Sequence, residues 1–263
     1  VYLESLGKLN QKLKGSDRTI VAFVWVPSAT APINPMLQRA VTQYEDIKDA
    51  LDDEVDNIKQ DVLYGLLEPG NRRRSYLRPS FISQMQKKKQ AFYQQSNVPL
   101  SSHMVHSNDE VLRIAKENGL LNREEDRVKL VYYPIYLTGA DGLVDLTYHE
   151  VMQASDLGIF PSYYEPWGYT PMEAAAHGVS SVTTDLSGFG QWVRSMGFKE
   201  GVKVISRLGK DDSYVVDKLS EHMNKCIALS LEDRSKDRIQ AYLVAAKAGW
   251  RDFIKFHLQA YNK

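Results

Sequence analysis

The sequence predicts an α/β protein: a Rossmann-like parallel sheet with helices on both faces. Two observations carry that reading. Apolar, β-rich runs recur at residues 19–26, 128–132, 157–160, 179–183 and 202–205, as strands buried in a parallel sheet do. Between most of them lie helical patterns opened by Ser or Thr with Glu three residues on, the capping box that satisfies free amides at a helix start. Strand–helix alternation at this spacing is the mark of a parallel sheet with covered faces.

The chain opens without Met on a helical pattern, Leu3, Leu6, Leu9 and Leu13, and reads as cut from a longer protein inside or near a helix. A turn leads into the run 19–26, a buried parallel strand. From residue 37 to 62 the apolar positions step by three and four: Leu37, Val41, Tyr44, Leu51, Val55, Ile58 and Val62, with Lys48 as the polar intruder. That pattern predicts a long helix packing in a coiled-coil manner. The stretch EPGNRRRSYLRPS is a loop, and Phe81, Met85 and Phe92 continue on a second helix. Residues 36–95 thus form a helical hairpin inserted in the sheet domain. It is either an antiparallel pair within the chain or an oligomerisation arm.

Three capping boxes follow. Ser107 with Glu110 starts a helix that stops near Gly119, Thr147 with Glu150 starts another, and Thr170 with Glu173 starts a third that stops at Gly178. The last third is helical. From 238 to 261, Leu243, Ala246, Trp250, Ile254, Leu258 and Tyr261 keep helical spacing, predicting one long C-terminal helix. Residues 1–263 are read as a single domain, with 232–263 as its C-terminal helical segment.

Composition excludes several classes. The 33 basic and 33 acidic residues cancel, which removes the electrostatic footprint of a nucleic-acid binder. The basic runs 72–74 and 87–89 read as solvated surface. A lone cysteine, Cys226, forms no disulfide within the chain and points to a reducing cytoplasm. It sits in an apolar helical run, as a buried structural thiol does. No apolar stretch is long enough to span a membrane, and no secretory signal is visible.

The chemistry concentrates in LGIFPSYYEPWGYTPMEAAAHGVSSVTTDLSGFGQWV. A strand ends at Phe160, a loop carries Glu165, Trp167 and Gly168, and a helix begins at Thr170. Open α/β sheets bind ligands at the carboxyl ends of their strands. Amides at a helix start suit phosphate oxygens, and the macrodipole adds about half a positive charge. Gly168 lets a ligand approach the backbone. Glu165 and Glu173 flank that helix start, placed to hold the two sugars of a sugar nucleotide with its diphosphate between them. By composition and spacing alone, Glu173 is better explained as the capping-box partner of Thr170.

The motif FPSYYEPWGYTPMEA resembles the signature of the eukaryotic-type glycogen synthase family, retaining glycosyltransferases built from two Rossmann-like halves (the GT-B fold). The similarity extends back through SDRTIVAF, HMV and DRVKLVYYP and forward through DLSGFG. It implies that this chain is the donor-binding half, without the N-terminal glucan-binding domain, and inactive alone. It implies that Glu165 sits by the donor glucose hydroxyls and Glu173 holds the ribose. The amides of Trp167, Gly168, Tyr169 and Thr170, with the Thr170 hydroxyl, face the phosphates. Tyr148, in DLTYHEV, matches the tyrosine that stacks on uracil. No metal or other cofactor is implied, UDP-glucose being the donor substrate.

There are departures. Ala29 stands where the family often has Lys or Arg for the diphosphate. A helix start offsets only about half of one charge, so a cation is still needed for the leaving UDP. We assign that role to Arg39, with Arg18 as the second candidate. The arginine-dense helix that binds glucose 6-phosphate in the eukaryotic enzymes is reduced to Arg234, Lys236 and Arg238. Loss of that regulation, and a bacterial member, are expected. The full reading is a cytoplasmic enzyme transferring glucose from UDP-glucose to an α-1,4-glucan, homo-oligomeric through the insertion. The alternatives are a related transferase with another nucleotide sugar or acceptor, and a non-catalytic oligomeric scaffold.

Overall fold

The computed structural model describes residues 1–28, 30–67, 76–93 and 98–262. Ala29, the basic run 72–74, most of the hairpin loop and the hairpin's last residues lie outside the described residues. In chain order the elements are α1 (Tyr2–Lys12), β1 (Ile20–Val24), β2 (Thr30–Ile33), α2 (Pro35–Leu67), α3 (Pro79–Tyr93), β3 (His103–Val105), α4 (Glu110–Glu117) and β4 (Val128–Tyr132). Then follow α5 (Tyr148–Gln153), β5 (Leu157–Ile159), α6 (Tyr169–Ala176), β6 (Ser180–Thr184), α7 (Gly188–Ser195), β7 (Val202–Ile205), α8 (Asp212–Ala228), α9 (Leu231–Lys247) and α10 (Trp250–Tyr261). The five expected strands are all present, each within two residues of its apolar run. Two compact units emerge: residues 1–20, 114–120 and 136–263 form one, and residues 21–113 and 121–135 the other.

The first unit is built on a parallel sheet in the order β5-β6-β7, with Ile159 opposite Val182 and Val182 opposite Lys203. The connections β5–α6–β6 and β6–α7–β7 are the helical crossovers that parallel pairing requires. Phe189, Val193, Val202, Ala241 and Val244 form its main core. The central strand β6 is buried along its whole length, yet four of its five residues carry hydroxyls. A buried hydroxyl is costly without a partner, and each has one. Ser180 donates to Asp237 of α9, Ser181 to the Pro171 carbonyl of α6, and Thr184 to the Ser162 carbonyl beyond β5. Thr183 pairs with Ser187, the cap of α7. α1 buries Leu6 and Leu9 and packs on α8, as its leucine spacing predicts.

Two local expectations change, and one helix was not foreseen. α4 begins at Glu110 and its start is capped by Asp109, whose carboxylate accepts from the Leu112 amide at 3.0 Å; Ser107 lies outside it. The long C-terminal helix is two helices, interrupted at Ala248 and Gly249, because Gly249 takes an extended conformation and caps α10. α7 has no apolar opening in the sequence, since glycines hold its first and third positions.

In the second unit β1 pairs with β4, and β2 pairs antiparallel with β3 in a ribbon the sequence does not announce. β1 is not buried on both faces as expected: Ala22 is covered, while Val21 and Phe23 remain open. The insertion contains two helices that pack on each other, but not by the expected seam. Tyr44, Leu51 and Val55 are exposed, and the one fully buried side chain of α2 is Glu54. Arg78 beside it grips both carboxylate oxygens and holds the Glu54 carboxyl below the usual carboxylate range. A buried carboxylate must be paired, so this ion pair sets the facing of α2. No helix among the described residues is long and apolar enough to cross a membrane.

On α8, His222 and Cys226 lie 3.5 Å apart, both half-buried. Burial pushes the Cys226 thiol up to about 11, so it is a protonated structural thiol at neutral pH. Burial, with the charges of Lys203 and Lys225 and against Asp237, pushes His222 down to about 4. The unfolded chain takes up a proton near pH 6.5 that the folded chain refuses. Stability from this group is therefore complete above pH 6.5 and is lost as pH falls toward 4. Urea midpoints measured from pH 7 to 4.5 should fall in the wild type, and less so in His222→Gln.

Candidate functional site

The carboxyl ends of β5, β6 and β7 feed three loops, and backbone hydrogen bonds sew them together. Beyond β5, the Glu165 amide donates to the Leu186 carbonyl at 3.1 Å, and the Glu165 carbonyl accepts from Gly188 at 3.1 Å. The Trp167 carbonyl accepts from the Phe189 amide at 2.6 Å. The loop bearing Glu165 is thereby zipped onto the segment that enters α7, with Glu165 bridged to Ser187. This close approach needs glycine at 188, where an added Cβ would lie 2.3 Å from the Pro166 carbonyl oxygen.

Asp185, at the end of β6, joins the third loop. Its carboxylate accepts from the amides of Arg207 at 2.6 Å and Leu208 at 3.1 Å, and pairs with Arg194 at 2.9 Å. Burial alone would raise the Asp185 carboxyl, but those amides and Arg194 outweigh it and hold it below its ordinary value.

Glu165 is half-buried, and the Ser162 hydroxyl donates to its carboxylate at 3.3 Å. The Trp167 ring turns inward, packing with Phe189, Trp192 and Phe253 at centroid distances from 5.2 to 6.2 Å. Gly168 caps α6 with φ of 105°, a left-handed conformation that favours glycine. The helix therefore starts at Tyr169, one residue earlier than the sequence suggests, and Thr170 lies inside its first turn. The expected Thr170–Glu173 capping box is absent, and no side chain caps α6. Amides at such a start have no partner within the helix.

Glu173 is freed from capping and meets the other predicted binding residue. The Tyr148 hydroxyl donates to the Glu173 carboxylate at 2.9 Å. Partial burial and then that carboxylate push the Tyr148 phenol well above the ordinary tyrosine value. Tyr148 opens α5, where the Thr147–Glu150 capping box is formed as the sequence predicts. A chain of rings ties α5 to α6 behind it: His149 contacts His177 at 3.1 Å, and Gln153 contacts His177 at 3.0 Å.

The structure thus assembles Glu165, Trp167, Gly168, Tyr169, Thr170, Glu173 and Tyr148 in one unit. Of the predicted cations, Arg18 shares this unit and Arg39 does not. Arg18 is exposed on the turn after α1, its amide bonded to Ser16. Arg39 belongs to the second unit, on α2, where its side chain donates to the Pro35 carbonyl at 3.4 Å. A cation the sequence reading missed, Arg207, sits 3.3 Å over the Tyr163 ring in the site loops. Its arginine sits alone after a strand, a signal too small to notice without the fold.

An open α/β sheet with carboxylate-bearing loops and an uncapped helix start at its carboxyl edge defines a ligand-binding domain of the Rossmann-like class. The glycogen synthase family model matches residues 1–263, and the chain belongs to that family. A glycogen [starch] synthase of Dictyostelium discoideum is 30% identical over 99% of this chain and 30% of its own length. One from Caenorhabditis elegans is 30% identical over 98% of this chain and 40% of its own length. Isoform 1 of Saccharomyces cerevisiae is 28% identical over 95% and 38%. The chain therefore spans between three tenths and two fifths of these relatives' length. Among solved structures, WaaG, a glycosyltransferase involved in lipopolysaccharide biosynthesis, aligns at 21% identity and a TM-score of 0.36 over 52% of this chain and 30% of that one, too remote to add to the fold or the site.

The packing of Gly188 gives a direct test. In Gly188→Ala the new methyl meets backbone rather than a flexible side chain. Urea denaturation should show a loss of about 1–3 kcal/mol, the usual cost of overpacking.

Proposed function

We propose that this chain is the donor-binding domain of a glycogen synthase, a cytoplasmic glycosyltransferase that moves glucose from UDP-glucose to the 4-hydroxyl of an α-1,4-glucan with retention of configuration. Membership of the family over the whole chain supports this reading. The observation that carries it at the level of residues is the pairing of Tyr148 with Glu173 beside the uncapped start of α6. In this reading Tyr148 stacks on uracil and Glu173 accepts the ribose hydroxyls. The amides from Trp167 to Thr170, with the Thr170 hydroxyl, bind the diphosphate. Glu165, oriented by Ser162, accepts hydroxyls of the donor glucose.

Charge sets the remaining requirement. The diphosphate brings about two negative charges and the helix start supplies about half a positive one. Stabilising the leaving UDP calls for a fixed cation in a site that excludes water. Within the first unit the candidate is Arg18, exposed on the turn after α1. The residual basic residues of α9 fit the loss of glucose 6-phosphate control. Arg238 donates to the Ser155 and Gln153 carbonyls and Arg234 to the Ile227 carbonyl, so these guanidiniums are already engaged by the chain itself.

Isothermal titration of the chain with UDP tests the site. Binding is expected in the wild type, and Glu173→Ala and Tyr148→Ala should each weaken it about tenfold, the effect of about 1.4 kcal/mol. Unchanged affinity in both variants would remove the assignment. The outward apolar residues of α2 support assembly of several copies through the insertion. Light scattering should then show a smaller assembly for the Leu51→Glu, Val55→Glu double variant than for the wild type.

A further inference from the structure

Arg207 follows β7, and its side chain is only 3% exposed. Burying a guanidinium is costly unless its donors find partners, so the partners show what the residue is for. One amino group donates to the Pro161 carbonyl at 2.7 Å. The other donates to Asp212 at 2.6 Å, at the start of α8. The guanidinium carbon lies 3.3 Å from the centre of the Tyr163 ring, and the Tyr163 hydroxyl donates to the second oxygen of Asp212. The Arg207 amide is itself anchored on Asp185. One side chain from the β7 loop therefore grips two positions, 161 and 163, of the loop that carries Glu165.

The grip is more than the fold requires. Tyr163 is 64% exposed, and an exposed tyrosine gains little from being fixed on a face and at its hydroxyl. What is fixed with it is Ser162, held between the two gripped residues and by Thr184 at its carbonyl. Ser162 is the donor that orients the Glu165 carboxylate. We propose that Arg207, with Tyr163 and Asp212, is a positioning residue for sugar recognition. It sets the Glu165 carboxylate in place before the sugar nucleotide arrives. The inference rests on the donor-site reading and adds a residue to it. Lysine cannot substitute, because the geometry uses two separately directed donors and a flat face.

The test uses Arg207→Lys and, because Asp212 is half exposed and its loss threatens the fold less, Asp212→Asn. Hydrogen exchange and isothermal titration with UDP and with UDP-glucose are measured on each. The amide of Glu165 should exchange faster in both variants while that of Val182 in β6 does not change. Affinity for UDP should stay at the wild-type level. Affinity for UDP-glucose should fall about tenfold in Arg207→Lys, as misplacing a positioned group does, and by a smaller factor in Asp212→Asn. An unchanged ratio of the two affinities overturns the positioning role, and so does a parallel loss of both ligands with faster exchange throughout β6. A wild-type chain that binds neither ligand overturns the donor-site reading and this role with it. The exchange result tells that failure apart from a failure of the grip itself.

Discussion

The buried hydroxyls of β6 are the constraint on which the first unit depends. A strand of Val and Ile would fill the same space without polar demands. Ser180, Ser181, Thr183 and Thr184 instead impose four hydrogen bonds that must be made inside the protein. Their partners are α9, α6, the α7 cap and the loop after β5. Two of these bonds end in the candidate site: Thr183 braces Ser187, against which Glu165 is bridged, and Thr184 braces Ser162. The core strand thus specifies where the site loops lie, not merely that the sheet is buried.

Asp185 and Arg207 extend the same logic to charge. Each is a largely buried ion that is tolerable only with several partners, and each takes its partners from more than one segment of the chain. Removing any one loop would strand a charge, so the three strand ends hold together as a unit. Side chains that meet a ligand need this kind of support, since precision comes from what locks their rotamers.

Much of this was legible beforehand, for identifiable reasons. Five of the seven strands showed because each is a short apolar or β-branched run, and β4 and β7 fell where the sequence put them. The Thr147–Glu150 box formed because nothing competes with it. The Thr170–Glu173 box failed because Gly168, free to adopt φ of 105°, lets the helix start early. That failure removed the structural explanation for Glu173 and left the binding one. The hairpin's helices were readable but not their facing, because a single buried carboxylate, Glu54, held by the half-exposed Arg78, turns inward while Tyr44, Leu51 and Val55 face out. Arg207 was invisible because its partners lie 46 and 5 residues away, a relation that only the fold creates.

The Tyr148–Glu173 hydrogen bond also bears on how a nucleotide would be held. One oxygen of the carboxylate proposed for the ribose already accepts from the phenol at 2.9 Å. A ribose hydroxyl arriving there exchanges one donor for another or shares the carboxylate, and a net hydrogen bond contributes only about 0.5–1.5 kcal/mol even when it is newly formed. The ribose contact therefore serves orientation more than affinity. On the proposed reading, affinity comes from ring stacking at Tyr148 and from the diphosphate on the amides of α6. The preformed bond has a second effect: it holds the Tyr148 ring at one angle beside His149, with centroids 5.3 Å apart. A ring already oriented loses less freedom when a base stacks on it. On the proposed reading, the contact that weakens the ribose term thus strengthens the base term, and the two carboxylates would divide the work, Glu173 at the nucleoside end and Glu165 at the sugar.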